Sequence, residues 1–398
     1  MRLTSLILSA LTGSLLAIGV LLPQPQGPYN VSLQIQELVD HARPDPWNSS
    51  HPRRLMVSRF DPVPKSKCTP CTVPYMPPLV ASTEDAILVA WMEAYNLTWP
   101  TGVLSQLELQ VCCNPCSRSS NPNSNVTRGG DYPIVLLGAG LNTTRHFYSV
   151  LAQEIASRGY TVVTLDHPYE TDVVAFPDGT AIYGGNVVGH QNETEQYVHA
   201  LDIRTQDARF VLDTLGVPFV TETDDPNQAK VGYVGHSFGG AAAAAAILND
   251  TRVVGGANLD GMMFGPVLNA GIGRPGIRQS FLLWGSQGHN SSVEESWGKF
   301  LDTVGRWDPE EWVRELSLRG STHGTFWDAG VIADAAGWRE DGGLGEMVEV
   351  FCGSGIGGRR TMEVLGAYLD AFLKMTLKGE GEGLLAGPSR EFEEVEFL

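Results

Sequence analysis

Positive charge is scarce in this chain. Only 27 of its 398 residues are Lys or Arg, against 45 Asp and Glu, a formal net charge of −18. A surface that acidic repels phosphate backbones, so nucleic acid is excluded as a partner class. Charged residues of both signs make up only 18% and hydrophobic residues 42%, which excludes disorder as the main state. The 45 glycines show no period of three and no heptads persist, so collagen-like and coiled-coil readings fail. No internal repeat is visible. Beyond residue 22 no apolar run reaches the length of a membrane span. Cysteine is also sparse, with six residues at 68, 71, 112, 113, 116 and 352.

What is present points to export. Residues 1–19 have one early Arg2, an apolar stretch, and the small residues Ala17 and Gly19 before a cleavage point. This is the outline of a secretory signal peptide; a retained signal anchor is the alternative, since the run approaches a span in length. Eight Asn-x-Ser/Thr sequons follow, at Asn30, Asn48, Asn96, Asn125, Asn142, Asn192, Asn249 and Asn290, marking acceptors for glycosylation in a secreted chain. In an oxidising compartment the cysteines form a disulfide framework. Two Cys-x-x-Cys pairs leave a zinc ribbon as the alternative, and the disulfide pairing stays open.

Three parts are expected: the signal peptide 1–19, a Cys-containing extension 20–130 that contributes strands to the sheet, and a core over 131–398. In the extension, RRLMVSRF (53–60) and LELQVC (107–112) read as strands and 82–95 as a helix, with Pro62 and Pro64 ending the first strand. From residue 131 the pattern becomes regular. PIVLLG (133–138) and YTVVTLD (160–166) are continuous apolar runs, as strands buried on both faces require. A helix over 146–158 separates them, and 173–184 reads as a hairpin turning at Pro177-Asp178-Gly179. A helix through Leu201–Leu215, strand KVGYVG (230–235), Ala-rich helix 238–248 and strands at 253–260 and 280–285 come next. A last amphipathic helix spans 359–378. Strands alternating with helices predict a mostly parallel central sheet with helices on both faces.

Gly235-His236-Ser237-Phe238-Gly239 follows a strand and opens the Ala-rich helix. A serine on such a turn needs glycines two positions either side, because a Cβ there meets neighbouring backbone. The turn exposes the Ser237 hydroxyl at a helix N-terminus, where N–H groups favour developing negative charge. Nucleotide-cradle spacing, Gly-x-Gly-x-x-Gly or a P-loop Lys, is missing here. This strand–elbow–helix context predicts the α/β-hydrolase fold, in which an acid and then a histidine follow the serine along the chain. Asp260 ends the next strand, VVGGANLD. The following strand, SFLLWG, brings no carboxylate until Glu294. Of the histidines beyond, His323 in STHGTF is the expected base and His289 its rival, while His236 is expected to pack structurally. The N–H groups of Phe238 and of Leu141, in the Gly138–Asn142 loop, are the expected oxyanion donors. Met262, Met263 and Phe264 after the acid, and Phe326 and Trp327 after the base, are candidates for an acyl pocket.

Taken together, GPYNVS (27–32), RRLMVSRFDPV (53–63), AGLNTTRHFYS (139–149), GYTVVTLDHP (159–168), GHSFGGAA (235–242), NLDGMMFG (258–265) and STHGTF (321–326) resemble the platelet-activating-factor acetylhydrolase family of α/β-hydrolases, lipoprotein-associated phospholipase A2 type. The resemblance implies Ser237 as nucleophile, Asp260 as acid and His323 as base, with calcium-independent hydrolysis of short or oxidised acyl esters, such as the sn-2 acetyl of a phospholipid. It departs from the animal enzymes in three places. Their His-Gly-Leu-Gly is Ala139-Gly140-Leu141-Asn142 here, and their Trp-containing segment after the acid is Gly261-Met262-Met263. The Cys-rich segment 68–116 looks like a secreted fungal or microbial branch. The expected partner is a small-molecule or lipid ester, met in transient contact with a lipid surface. No cofactor or metal is expected. A broad lipase or polyester hydrolase, and a binding protein on a hydrolase scaffold, are the alternatives.

Overall fold

The computed structural model describes residues 19–113, 132–187, 193–221, 228–273, 277–307 and 311–398. The expected signal segment up to residue 18, Cys116, the loop 117–130 and the sequons at Asn125 and Asn192 lie outside them.

Nine strands form the main sheet. In chain order they are β1 (Asn30–Pro44), β2 (Pro52–Val63), β3 (Ile134–Gly138), β4 (Thr161–Leu165), β5 (Val231–His236), β6 (Val253–Leu259), β7 (Ser280–Ser286), β8 (Val313–Leu318) and β9 (Val395–Phe397). They lie side by side as β9-β8-β7-β6-β5-β3-β4-β2-β1. The strands from β8 across to β4 pair in parallel, and β9, β2 and β1 add antiparallel margins. This is the α/β-hydrolase fold. Alternate residues of the central strands enter opposite cores, as strand geometry demands. Ile134, Leu136, Tyr233, Phe281 and Leu283 pack on one face, and Val135, Leu137, Val234, Leu282 and Trp284 on the other. The first face is covered by α3 (Glu193–Thr214), α4 (Phe238–Asn249) and α5 (Glu295–Trp307), and the second by α2 (Ser149–Ala156) and α6 (Gly358–Lys378).

The longest departures from expectation lie at the margins. Strand β1 extends the sheet through a twelve-residue partner that itself runs past Pro62 to Val63. Pro62 lies beyond the β4 ladder, which ends at Phe60–Val162, and faces Val31 of β1 alone, a position with one neighbouring strand where a missing N–H costs least. The helix expected at 82–95 spans Pro78–Ala94, starting earlier because Pro78 sits in its first turn, where an N–H has no intrahelical acceptor. Strand β9 pairs with β8 over Leu316–Leu318, although its Glu-rich sequence has little strand character.

A small three-stranded sheet of Val20–Leu21, Leu107–Cys112 and Pro70–Pro74 stands apart from the main one. Disulfides Cys68–Cys112 and Cys71–Cys113 fasten it. The zinc-ribbon alternative is thereby corrected, since three of its four sulfurs, those of Cys68, Cys71 and Cys113, are consumed in these bonds. Cys352 is buried and has no disulfide partner among the described residues.

Candidate active site

Ser237 joins β5 to α4 with φ at 55°, in a region L-residues avoid. Close packing enforces this turn. A Cβ on Gly235 would lie 2.0 Å from the Gly239 carbonyl oxygen, and one on Gly239 only 2.2 Å from that of Gly138. The elbow helix therefore abuts the loop after β3 directly. Phe238 is the first residue of α4, so its N–H has no intrahelical acceptor. Asn142 and Asp260 also have positive φ, at 62° and 61°. Three of the five non-glycine residues with positive φ among the described residues thus follow strands at one sheet edge, and strain of this kind clusters at functional sites.

Asp260 follows β6 and is 4% exposed. Its N–H donates to Trp284 O at 2.9 Å, and the Asn258 amide spans Gly261 on both its N–H and its carbonyl, at 2.8 and 2.7 Å. The carboxylate accepts from two imidazoles at once: His323 Nδ1 reaches Oδ2 at 2.7 Å and His289 Nδ1 reaches Oδ1 at 2.7 Å. The Ser286 N–H adds a third bond to Oδ1 at 2.5 Å. Burial works to raise the Asp260 pKa, but these donors outweigh it and hold the carboxyl well below its usual range. His289 shows the reciprocal effect. Burial opposes its charge, yet the bond to Asp260 raises its pKa. Its ring stacks on Trp297 at 4.6 Å.

Two cavities flank Ser237, and His323 and Leu141 line both. One, of about 530 Å³, is bounded by Phe238, Met262, Phe264, Tyr197 and His289. The other, of about 310 Å³, reaches Trp327 and α1 (Pro78–Ala94). The structure thus brings Ser237, Asp260, His323, Leu141 and Phe238 to one edge, with Met262, Phe264 and Trp327 facing open space. Met263 is a correction. At 1% exposure it is a core residue, its sulfur accepting from Asn258 Nδ2 at 3.5 Å. Phe326 is likewise fully buried, stacked beside His236.

Arg204 and Tyr148, which the sequence reading missed, and His236, which it expected to pack structurally, hold the rim together. Arg204 of α3 donates to the carbonyls of Ala139 and Gly140 at 2.6 and 3.0 Å and pairs with buried Glu170. Tyr148 accepts from the Gly140 N–H at 2.9 Å and meets His236 Nδ1 at 2.9 Å. His236 Nε2 lies 3.0 Å from the His323 carbonyl. With the Tyr148 hydroxyl donating to Nδ1, the neutral imidazole donates to that carbonyl from Nε2. Burial keeps His236 neutral by lowering its pKa well below the ordinary value. One chain of bonds therefore links the loop after β3 to the loop carrying His323. His236 had a local sequence signal, being inside the elbow; Arg204 had none, because its partners lie 34 and more residues away.

Fold and rim together define a hydrolase of carboxylic esters on the α/β-hydrolase scaffold. The chain belongs to the family described as platelet-activating factor acetylhydrolase, isoform II, whose model matches residues 96–177 and 198–335. A relative from Arthroderma benhamiae named "Probable 1-alkyl-2-acetylglycerophosphocholine esterase" is 39% identical over 379 residues, covering 95% of this chain and 94% of that protein. The platelet-activating factor acetylhydrolase of Cavia porcellus is 27% identical over 52% of this chain and 50% of its own length. Among solved structures, a ferulic acid esterase from Streptomyces cinnamoneus superposes with a TM-score of 0.72 at 26% identity, covering 96% of this chain and 99% of that one.

Proposed function

We propose that the chain is a secreted esterase that cleaves short-chain acyl esters through an acyl-Ser237 intermediate, with the sn-2 acetyl group of an ether phospholipid as its substrate type. The observation that carries this reading is the 2.7 Å bond from His323 Nδ1 to Asp260, at the rim of both cavities that Ser237 lines. That bond fixes the imidazole tautomer, leaving Nε2 to remove the Ser237 proton as Oγ attacks the ester carbonyl. Asp260 stabilises the imidazolium that forms. The tetrahedral oxyanion is received by the N–H groups of Phe238 and Leu141, each donor contributing about 10²–10³ in rate. His323 then protonates the leaving alkoxide, and the same sequence with water releases the acid. Acetyl as the acyl group is supported by the name of the Arthroderma relative and the family description.

Secretion is supported by the two disulfides. Among the described sequons Asn48, Asn96 and Asn249 are exposed and are the proposed glycan acceptors, whereas the buried Oδ1 of Asn142 argues against its use. A fluorophosphonate should label the protein, and Ser237→Ala should abolish labelling. A series of p-nitrophenyl esters and 2-acyl phospholipids should show turnover declining as the acyl chain lengthens. Labelling that persists in the variant would remove Ser237 from the mechanism, and turnover of long chains alone would remove the acetyl preference.

A further inference from the structure

Aromatic rings and orphaned polar atoms meet in the smaller cavity beside Ser237. Trp91, Phe351, Trp327 and Phe147 form a continuous wall, with successive ring centroids 5.2, 5.4 and 4.7 Å apart. Glu84, from α1, is 2% exposed, and its Oε1 has no hydrogen-bond partner. Asn142 Oδ1 and Trp327 Nε1 are buried and unpartnered as well, and all three side chains line this cavity. Asp172 adds a second carboxyl to the lining. Buried polar atoms left without partners are costly, and they persist where a ligand completes them.

These groups are of both kinds. Asn142 Oδ1 only accepts, and the Trp327 indole N–H only donates. Burial, then the nearby Asp172, pushes the Glu84 carboxyl well up, towards the protonated form that does both. Burial, then Glu170, raises Asp172 to about 6, so it is mainly ionised at neutral pH and accepts. An ammonium offers donors alone, and a carboxylate or phosphodiester acceptors alone. Hydroxyl groups offer both. The wall narrows the choice further, because aromatic faces carry partial negative charge and pack against the weakly positive C–H face of a saturated ring. The volume of about 310 Å³ is at the small end of ligand pockets, which run from about 300 to 1,000 Å³, so it suits one ring rather than a chain of them. We propose that this cavity is a subsite for a pyranose sugar, which makes acetylated sugars a second substrate class for the enzyme. The link to catalysis rests on the esterase reading, and Ser237 and His323 border the same cavity. Ser237 Oγ bonds to the acetyl carbon as that carbon's bond to the sugar oxygen breaks. The sugar oxygen leaves with the proton carried by His323, and water then releases acetate from the serine.

The test compares the methyl 6-O-acetyl glycosides of glucose, galactose and mannose with cyclohexylmethyl acetate, which keeps a ring and the ester but has no hydroxyls. Each kcat/KM is divided by the rate of the same ester with hydroxide, which removes differences in intrinsic reactivity. With the intact protein at least one sugar ester should be favoured about tenfold or more, since a site built for hydroxyls rejects a ring that lacks them. Glu84→Leu should bring that ratio to one or below. Trp327→Phe, which keeps an aromatic ring and removes the N–H, should lower it severalfold. Trp91→Ala, at a side chain already 43% exposed, should raise KM for the sugar ester without threatening the fold. Thermal melts and fluorophosphonate labelling show that each variant is folded. A ratio near one for all three sugars, or one that survives these substitutions, overturns the proposal. If neither p-nitrophenyl acetate nor any of these esters is turned over, the esterase reading fails separately. Calorimetric titration of the three methyl glycosides into the full chain then decides the binding claim, and heat from none of them ends it.

Discussion

Asp260 is shared by two imidazoles at equal distance, 2.7 Å each, so replacing each histidine in turn measures what the shared carboxylate does. His323 faces both cavities beside Ser237, whereas His289 lines only the larger one. Changing His323 to Ala removes the proton acceptor itself, and kcat should fall by about 10⁴ or more. Changing His289 to Ala removes one charge-assisted hydrogen bond to Asp260, worth about 1.5–3 kcal/mol. Even if all of that were felt at the transition state, at about 1.4 kcal/mol per factor of ten the loss is bounded near 10–150-fold. The Ser286 N–H still holds Oδ1, so the lower end is expected. The assay is steady-state hydrolysis of an alkyl acetate alongside p-nitrophenyl acetate. An alkoxide leaving group needs the proton that His323 supplies and nitrophenolate does not, so the His323 deficit should be larger on the alkyl ester. The double variant should be no worse than His323→Ala alone. A greater loss from His289→Ala than from His323→Ala would reverse the assignment of the base.

The two histidines also separate by pH. The pKa of His289 is raised above 6.5, so its stabilising contribution is complete below the ordinary imidazole value and is lost as pH rises through the raised one; melting curves of the parent and His289→Gln should converge at alkaline pH, and a constant gap would refute the linkage. Arg204→Met leaves Glu170 buried without its partner and should destabilise by about 3–5 kcal/mol, read by chemical denaturation, with a loss of rate because the carbonyls of Ala139 and Gly140 lose their anchor. Gly239→Ala should give no labelled, folded enzyme, since its Cβ would sit 2.2 Å from a backbone oxygen; normal fluorophosphonate labelling would contradict that packing. Reduction of the Cys68–Cys112 bond, which closes 44 residues, should cost about 4 kcal/mol by the chain-entropy model, with the parallel bond adding little; an unchanged melting temperature under reductant would show that the small sheet does not limit stability.

Much of this architecture is written locally. The central strands are unbroken apolar runs because both their faces are covered, and the elbow declares itself through two glycines whose spacing is a steric necessity. Chain order points to Asp260 and narrows the base to His323 and its rival His289. What escaped was non-local. The bridging of Asp260 to a second imidazole depends on β7 ending beside β6, which no short window reveals. The expectation that Met263 lines a pocket failed because the Asn258–Gly261 clamp turns alternate residues after the acid inward. Strand β1 had a readable alternation in Val31, Leu33 and Ile35. Strand β9 offers only Val395-Glu396-Phe397, an alternation too short to stand out in a Glu-rich stretch; it pairs on the open edge of β8.

That last pairing ties catalysis to the order of synthesis. Strand β8 leads straight into the loop of His323, and its outer neighbour is contributed by Val395–Phe397, with the Arg319 N–H bonded to Glu394 O at 2.7 Å. A nascent chain that has already exposed Ser237, Asp260 and His323 still lacks the lateral support of its base-bearing segment until Val395–Phe397 have emerged from the ribosome. Hydrolytic competence therefore waits on β9, and removing Val395–Phe397 should release the imidazole long before it unfolds the elbow.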